Sequence, residues 1–286
     1  MQGVFLEDYI LFLRNIGTLL LDCSMEKLIV PTLEGMLVKD KVDKNVAVVI
    51  GASGGIGSAI LGKLCLDNTY TDVIAVSRNI SDVGKHLTVG DANVLSIETD
   101  YTPESIESVV KQLSLFRGNI SKVIICNGVL HDQDIWPEKR LEEITADNMV
   151  SIFTANSIIP MLFLKSLISA VKGQKKCVIA LLSARVSSLQ DNRLGGWYSY
   201  RASKTALNML VKTASIEYAR RANNVKFILY HPGTVDTNLS KPFQSKRVKK
   251  LLDPDDVAAR LLQEMSQVNL DDDLAFIDWE GYEINW

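Results

Sequence analysis

The run Val46-Ala-Val-Val-Ile-Gly-Ala-Ser-Gly-Gly-Ile-Gly57 constrains this chain more than any other segment. An unbroken apolar stretch without polar alternation reads as a strand covered on both faces, the pattern of parallel sheets flanked by helices. Gly51, Gly55 and Gly57 follow, and then helix-forming residues. Such a turn allows a tight exit from the strand and a close backbone approach to phosphate, because no Cβ intervenes. The helix that starts there aims its N-terminal N–H groups at negative charge. The spacing is G-x-x-x-G-x-G rather than G-x-G-x-x-G, but the physical demands are the same, and the flanking strand and helix supply the context for a dinucleotide site. Its candidate residues are Gly51, Ser53, Gly55, Ile56 and Gly57.

From Asn45 onward, β-rich apolar runs alternate with helical patterns. Strands are expected at Val46–Ile50, Asp72–Ser77, Asn93–Thr99, Lys122–Cys126, Lys176–Leu182, Asn224–Tyr230 and Leu274–Asp278. Helices are expected near Gly55–Leu66, Pro103–Leu115, Ala146–Val171, Tyr198–Arg221 and Pro254–Ser266. This alternation predicts an α/β fold: a single Rossmann-type, doubly wound parallel sheet of about seven strands, helices on both faces, ligands at the strands' carboxyl ends. Residues 45–286 form that domain, and residues 1–44 read as an appended arm that packs on it or on a partner subunit. The apolar stretch Val4–Leu21 carries Glu7, Asp8 and Arg14, too much charge for a membrane span, and lacks the layout of a secretory signal.

Lys and Arg total 31 against 34 Asp and Glu, so no basic face points to nucleic acid. Cysteines 23, 65, 126 and 177 are widely spaced, which fits free thiols in a reducing, cytoplasmic setting. The few histidines show no metal-ligand spacing. Neither nucleic acid nor a membrane is therefore an expected partner.

Two features bear on chemistry. The second strand ends in Val76-Ser77-Arg78-Asn79, with a guanidinium and a hydroxyl where a carboxylate would bind a ribose diol. That choice favours NADP(H), with NAD(H) possible. Farther on, Tyr200 and Lys204 stand at i and i+4, with Cβ atoms about 5–6 Å apart on one helix face. A cation at that range is expected to lower the phenol's pKa, so that Tyr200 protonates a developing alkoxide or deprotonates an alcohol.

Residues 45 to the end resemble the short-chain dehydrogenase/reductase family, and within it the small carbonyl reductases of the sniffer and C-signal type. The likeness rests on the Gly51–Gly57 turn, Cys126-Asn127-Gly128, Asn156, Tyr200-x-x-x-Lys204 and Pro232-Gly-Thr-Val-Asp-Thr237. It implies that Lys204 also binds the nicotinamide ribose and that Asn156 holds a water relaying protons to the lysine. It implies further that Asp100 meets the adenine amino group, that Asn127 and Gly128 border the adenosine side, and that Pro232, Gly233, Val235 and Thr237 orient the carboxamide. A homodimer or homotetramer through the long helices is also implied. The family's substrate-polarising serine has no clear match in Ser183-Ala184-Arg185-Val186-Ser187. Ser183 is the first candidate, Ser187 the second, and a backbone donor the third. His131 and His231 are expected to be structural, and Trp136, Trp197, Trp279 and Trp286 are candidates for either a substrate pocket or core packing.

The expected activity is NADP(H)-dependent, reversible reduction of a ketone or aldehyde. The alternatives are a low-turnover nucleotide-sensing or signalling protein on the same fold, and an epimerase or dehydratase.

Overall fold

Apolar residues along Val46–Ile50 divide between two cores, and this division organises the whole domain. Val46, Val48 and Ile50 face one layer of helices, while Ala47 and Val49 face the other, and all are fully buried. The computed structural model describes residues 44–83, 92–244, 250–272 and 274–286. The arm at 1–44 and Cys23 therefore lie outside the described residues, apart from Lys44.

The strands are β1 (Val46–Ile50), β2 (Asp72–Ser77), β3 (Asn93–Glu98), β4 (Ile120–Ile125), β5 (Cys177–Leu182), β6 (Val225–His231) and β7 (Ala275–Asp278). They form one sheet in the order β3-β2-β1-β4-β5-β6-β7, parallel throughout. The order reverses between β1 and β4, where Ile50 pairs with Val76 on one side and Ile125 on the other. A crevice at that reversal is where open α/β sheets bind ligands.

The helices are α1 (Gly55–Cys65), α2 (Pro103–Leu113), α3 (Ala146–Phe153), α4 (Ile159–Val171), α5 (Tyr198–Arg221) and α6 (Pro254–Gln267). Helices α1 and α6 cover one face through Ile60, Leu64, Val257 and Leu261. Helices α2, α4 and α5 cover the other through Ile106, Leu113, Phe163, Leu167 and Leu207. Both layers are thus present, which is why β1, β2 and β5 are buried end to end.

The expected elements are all present, with bounds shifted by a residue or two. The informative difference is the run Ala146–Val171, which reads as one helix but contains a π-turn at Thr154–Ile158. Pro160 accounts for the break: it has no N–H to give the carbonyl of Asn156, four residues earlier. The chain widens instead, and Ile159 N–H bonds to Thr154 O. By length and composition this run passes as a membrane span, yet Phe163, Leu164 and Leu167 are buried in the sheet's core.

Phe163 is fully buried and meets Tyr101 edge-on at 6.1 Å, so it supports the loop after β3 as well as the core. Phe163→Ala is expected to cost about 3–5 kcal/mol in urea unfolding. A loss below about 1 kcal/mol would show that this layer is not packed as described.

Candidate active site

The glycine turn is built by steric exclusion. Gly51 adopts φ +82°, and a Cβ there would stand 3.3 Å from the backbone nitrogen of Asn127. At Gly57 a Cβ would lie 2.2 Å from Gly51 O, and at Gly55 one would lie 2.5 Å from Thr237 Cγ2. Helix α1 starts with no side-chain cap and no acid in its first turn, so its leading N–H groups are left for an anion. Ile56 packs on the core behind the turn. Ser53 Oγ and Ser77 Oγ are 2.6 Å apart, which ties the turn to the end of β2.

Beyond Ser77, the Arg78 guanidinium lies over the Tyr101 ring at 5.9 Å. It lines a cavity of about 410 Å³ with Glu98, Thr99, Asp100 and Ser105. Asp100 Oδ1 accepts from Thr102 N–H at 2.9 Å and Thr102 Oγ1 at 2.7 Å, bonds that hold its carboxyl below the ordinary value. One oxygen of Asp100 is therefore committed to the start of α2.

Across the switch point, Asn127 Oδ1 is buried without a donor. A buried acceptor left unmatched within the protein invites a donor from a ligand. Gly233 has φ +78° and packs so tightly that a Cβ would fall 2.6 Å from Leu252 and 2.9 Å from Trp279. Val235 bridges to Leu252, which places the Pro232–Thr237 loop over the glycine turn, with Thr237 against Gly55. The cradle, the uncapped helix start and the orphaned acceptor together fit a dinucleotide.

At the chemical end, Asn156 is fully buried in the π-turn. Its Oδ1 accepts from Val129 N–H at 2.7 Å, and its Nδ2 donates to Val129 O at 2.9 Å and to Ser203 Oγ at 3.0 Å. Ser157 Oγ donates to Ser203 O at 2.6 Å. The turn thus docks on α5 between Tyr200 and Lys204. Lys204 is 3% exposed and gives Nζ–H to Leu182 O at 2.8 Å. A Cβ on Gly128 would meet that Nζ at 3.2 Å and Asn156 Oδ1 at 3.4 Å, so these three groups share one small space.

The electrostatics correct one expectation. Tyr200 is not made acidic here: burial pushes its phenol up to about 12. Burial also pulls the Lys204 ammonium down to about 8. Desolvation disfavours both charged forms, and the ammonium's hydrogen bond goes to a backbone carbonyl.

The short chain dehydrogenase family model matches residues 45–248. The chain belongs to that family. It is 30% identical to C-signal of Myxococcus xanthus over 146 residues, which span 51% of this chain and 83% of that protein. Carbonyl reductase Sniffer of D. melanogaster superposes with a TM-score of 0.69 at 19% identity, covering 85% of this chain and 99% of that one. The NADPH-bound carbonyl reductase from chicken fatty liver gives 0.69 at 23%, covering 86% and 100%.

In this short-chain dehydrogenase the serine after β5 is not free. Ser183 Oγ donates to Asn208 Oδ1 at 2.6 Å, Asn208 Nδ2 donates to Ser187 Oγ at 2.8 Å, and Ser187 Oγ donates to Ala184 O at 2.7 Å. A hydroxyl has one proton, and both serines spend theirs inside this buried chain of bonds. This departs from the expectation that Ser183 polarises a substrate oxygen, with Ser187 as reserve. Asn208 escaped the sequence reading, although it lies four residues past Lys204 on the same helical face. Glu138 escaped it too: nothing local marks a residue that caps α5 from 61 positions away.

The histidines hold structural places, with His131 Nε2 3.2 Å from Asn238 O and Leu239 O. Burial and the nearby Arg185 pull His231 down to about 4, so it stays neutral at physiological pH.

Gly57→Ala is expected to lower Tm sharply, because its methyl group has nowhere to go. Gly62→Ala, in the same helix with nothing within 4 Å, is expected to raise it slightly. Equal behaviour of the two variants in a thermal melt would contradict the close-packed turn.

Proposed function

We propose that this dehydrogenase reduces a ketone or aldehyde to an alcohol with NADPH, reversibly, using Tyr200 as the proton donor. The observation that carries the reading is the convergence of Lys204, Asn156 and Gly128 beside Tyr200's helix, at the mouth of the glycine cradle.

The bound nicotinamide supplies the hydride that reduces the carbonyl carbon. Gly51, Ser53, Gly55, Ile56 and Gly57 would hold the pyrophosphate, Asn127 and Gly128 the adenosine side, and Pro232, Gly233, Val235 and Thr237 the carboxamide. Ser77 and Arg78 would take a 2′-phosphate, which favours NADP(H). Glu98 and Asp100 line the same cavity and keep NAD(H) in competition. Tyr200 gives its proton to the carbonyl oxygen as that oxygen gains charge. A phenol held up to about 12 stays protonated across the physiological range, which suits reduction better than oxidation. Lys204 supports the resulting phenolate. Asn156 fixes the main chain at Val129, and would hold the water that relays protons to Lys204.

Three described thiols, Cys65, Cys126 and Cys177, are free, which suits a cytoplasmic setting. Exposed Val150, Ile158, Met209 and Ile216 on α3–α5 suit assembly into a homodimer or homotetramer.

A second reading, a low-turnover nucleotide sensor, is favoured by one observation: the serine protons near β5 are already committed. Turnover separates the two. Tyr200→Phe is expected to lower kcat by about 10²–10⁴ with cofactor affinity retained. An unchanged kcat would remove Tyr200 from the reaction.

The pH profile gives an independent check. Lys204 is cationic below about 8 and neutral above it, so kcat/KM for reduction should fall as pH rises through that value. A flat profile to pH 10 would show that the ammonium takes no part. For the cofactor, Arg78→Ala should raise KM for NADPH about 10- to 100-fold and leave NADH nearly unchanged. Equal effects on both would argue against a 2′-phosphate contact.

A further inference from the structure

A row of rings runs outward from Tyr200. Trp197 meets Tyr200 edge-on at 6.1 Å and Phe243 at 5.1 Å. Phe243 in turn meets Trp136 at 5.9 Å and His131 at 5.4 Å, and those two rings stack at 5.3 Å. The rings come from three separate stretches: the loop after β4, the residue before α5, and the 3-10 turn Lys241–Phe243. None of them belongs to either core cluster. Trp136 is 54% exposed, so the row opens toward solvent rather than closing a core.

The row is also held rigidly. Glu138, 4% exposed, accepts from Ser199 N–H at 3.1 Å and from the Ser199 hydroxyl, and its main-chain oxygen accepts from Trp197 N–H. That residue therefore caps α5 at Ser199, one position before Tyr200, and pins Trp197, whose backbone is left-handed at φ 54°. Trp136, two residues before Glu138, comes from the same pinned loop. A surface of preorganised rings touching the proton donor costs little ordering when a ligand settles on it.

We propose that this row is the substrate-side wall of the site, and that the carbonyl compounds it takes carry a planar aromatic ring on the carbonyl carbon. The inference rests on the carbonyl-reduction reading and adds to it the class of substrate. Tyr200 is the inner end of the row, so an aryl group attached directly to the carbonyl carbon lies against Trp197 and Phe243 when the carbonyl oxygen meets the phenol. Flat rings gain edge-to-face and stacked contacts that a puckered ring of the same size does not, worth about two- to tenfold for each pair.

The test compares acetophenone with cyclohexyl methyl ketone, which share the acetyl group and differ in ring planarity. The full-length enzyme with NADPH is assayed on both, and the ratio of the two kcat/KM values is followed in Phe243→Leu and Trp136→Leu. Intrinsic reactivity cancels in that comparison. The aryl-to-cyclohexyl ratio is expected to fall about two- to tenfold in Phe243→Leu, which removes a ring against the aryl group, and less in Trp136→Leu, which removes only that ring's support. A ratio unchanged from the wild type overturns the wall.

Binding is read separately, by calorimetric titration of each ketone into NADPH-loaded Tyr200→Phe protein. Tighter binding of acetophenone that is lost in Tyr200→Phe/Phe243→Leu supports the wall even if the wild type reduces nothing, an outcome that would sink the reduction reading alone. Equal binding of the two ketones overturns the wall whatever the turnover.

Discussion

Asn156 makes the connection on which the rest of the site depends. Its side chain satisfies both backbone groups of Val129 and a hydroxyl of α5, so one buried amide joins the end of β4 to the helix that carries Tyr200 and Lys204. Without it, two half-buried backbone groups at Val129 would lose their protein partners. The π-turn makes this possible, since it turns Asn156 and Ser157 toward Ser203 together. The clamp also leaves Gly128 beside Lys204 Nζ, where a Cβ would stand 3.2 Å from the ammonium and crowd it.

The electrostatic character of the site follows from that tight packing. Burial raises the Tyr200 phenol and lowers the Lys204 ammonium, so both groups are held toward their neutral forms. In the proposed reaction such a phenol can still give its proton, because the alkoxide it would serve is a far stronger base than a phenolate. Burial therefore sets the protonation of the pair, where simple proximity of charge had pointed to an acidic phenol.

Most of the fold was legible in the sequence because parallel strands covered on both faces are strongly apolar, as β1 and β5 are throughout and β2 is between Asp72 and Ser77. The glycine turn was legible for a similar reason: Gly57 leaves no room for a methyl group against Gly51 O. What stayed hidden depends on contacts between distant segments. Pro160 stood in plain view within the run 146–171, but helical hydropathy outweighed it, and the break at Asn156 went unread. Ser183 looked available until Asn208, 25 residues away, took up its proton. The ring row joins residues 131, 136, 197 and 243, a grouping that no local periodicity can announce.

The central claim is that this short-chain dehydrogenase moves hydride to a carbonyl carbon while Tyr200 supplies the proton. The most direct measurement uses NADPH deuterated at nicotinamide C4, on the transferred face, with an aromatic ketone and product analysis by mass spectrometry and NMR. The account predicts an alcohol with deuterium on the carbinol carbon and one equivalent of NADPH oxidised for each alcohol formed. Product without deuterium, or turnover with no net oxidation of NADPH, would contradict it.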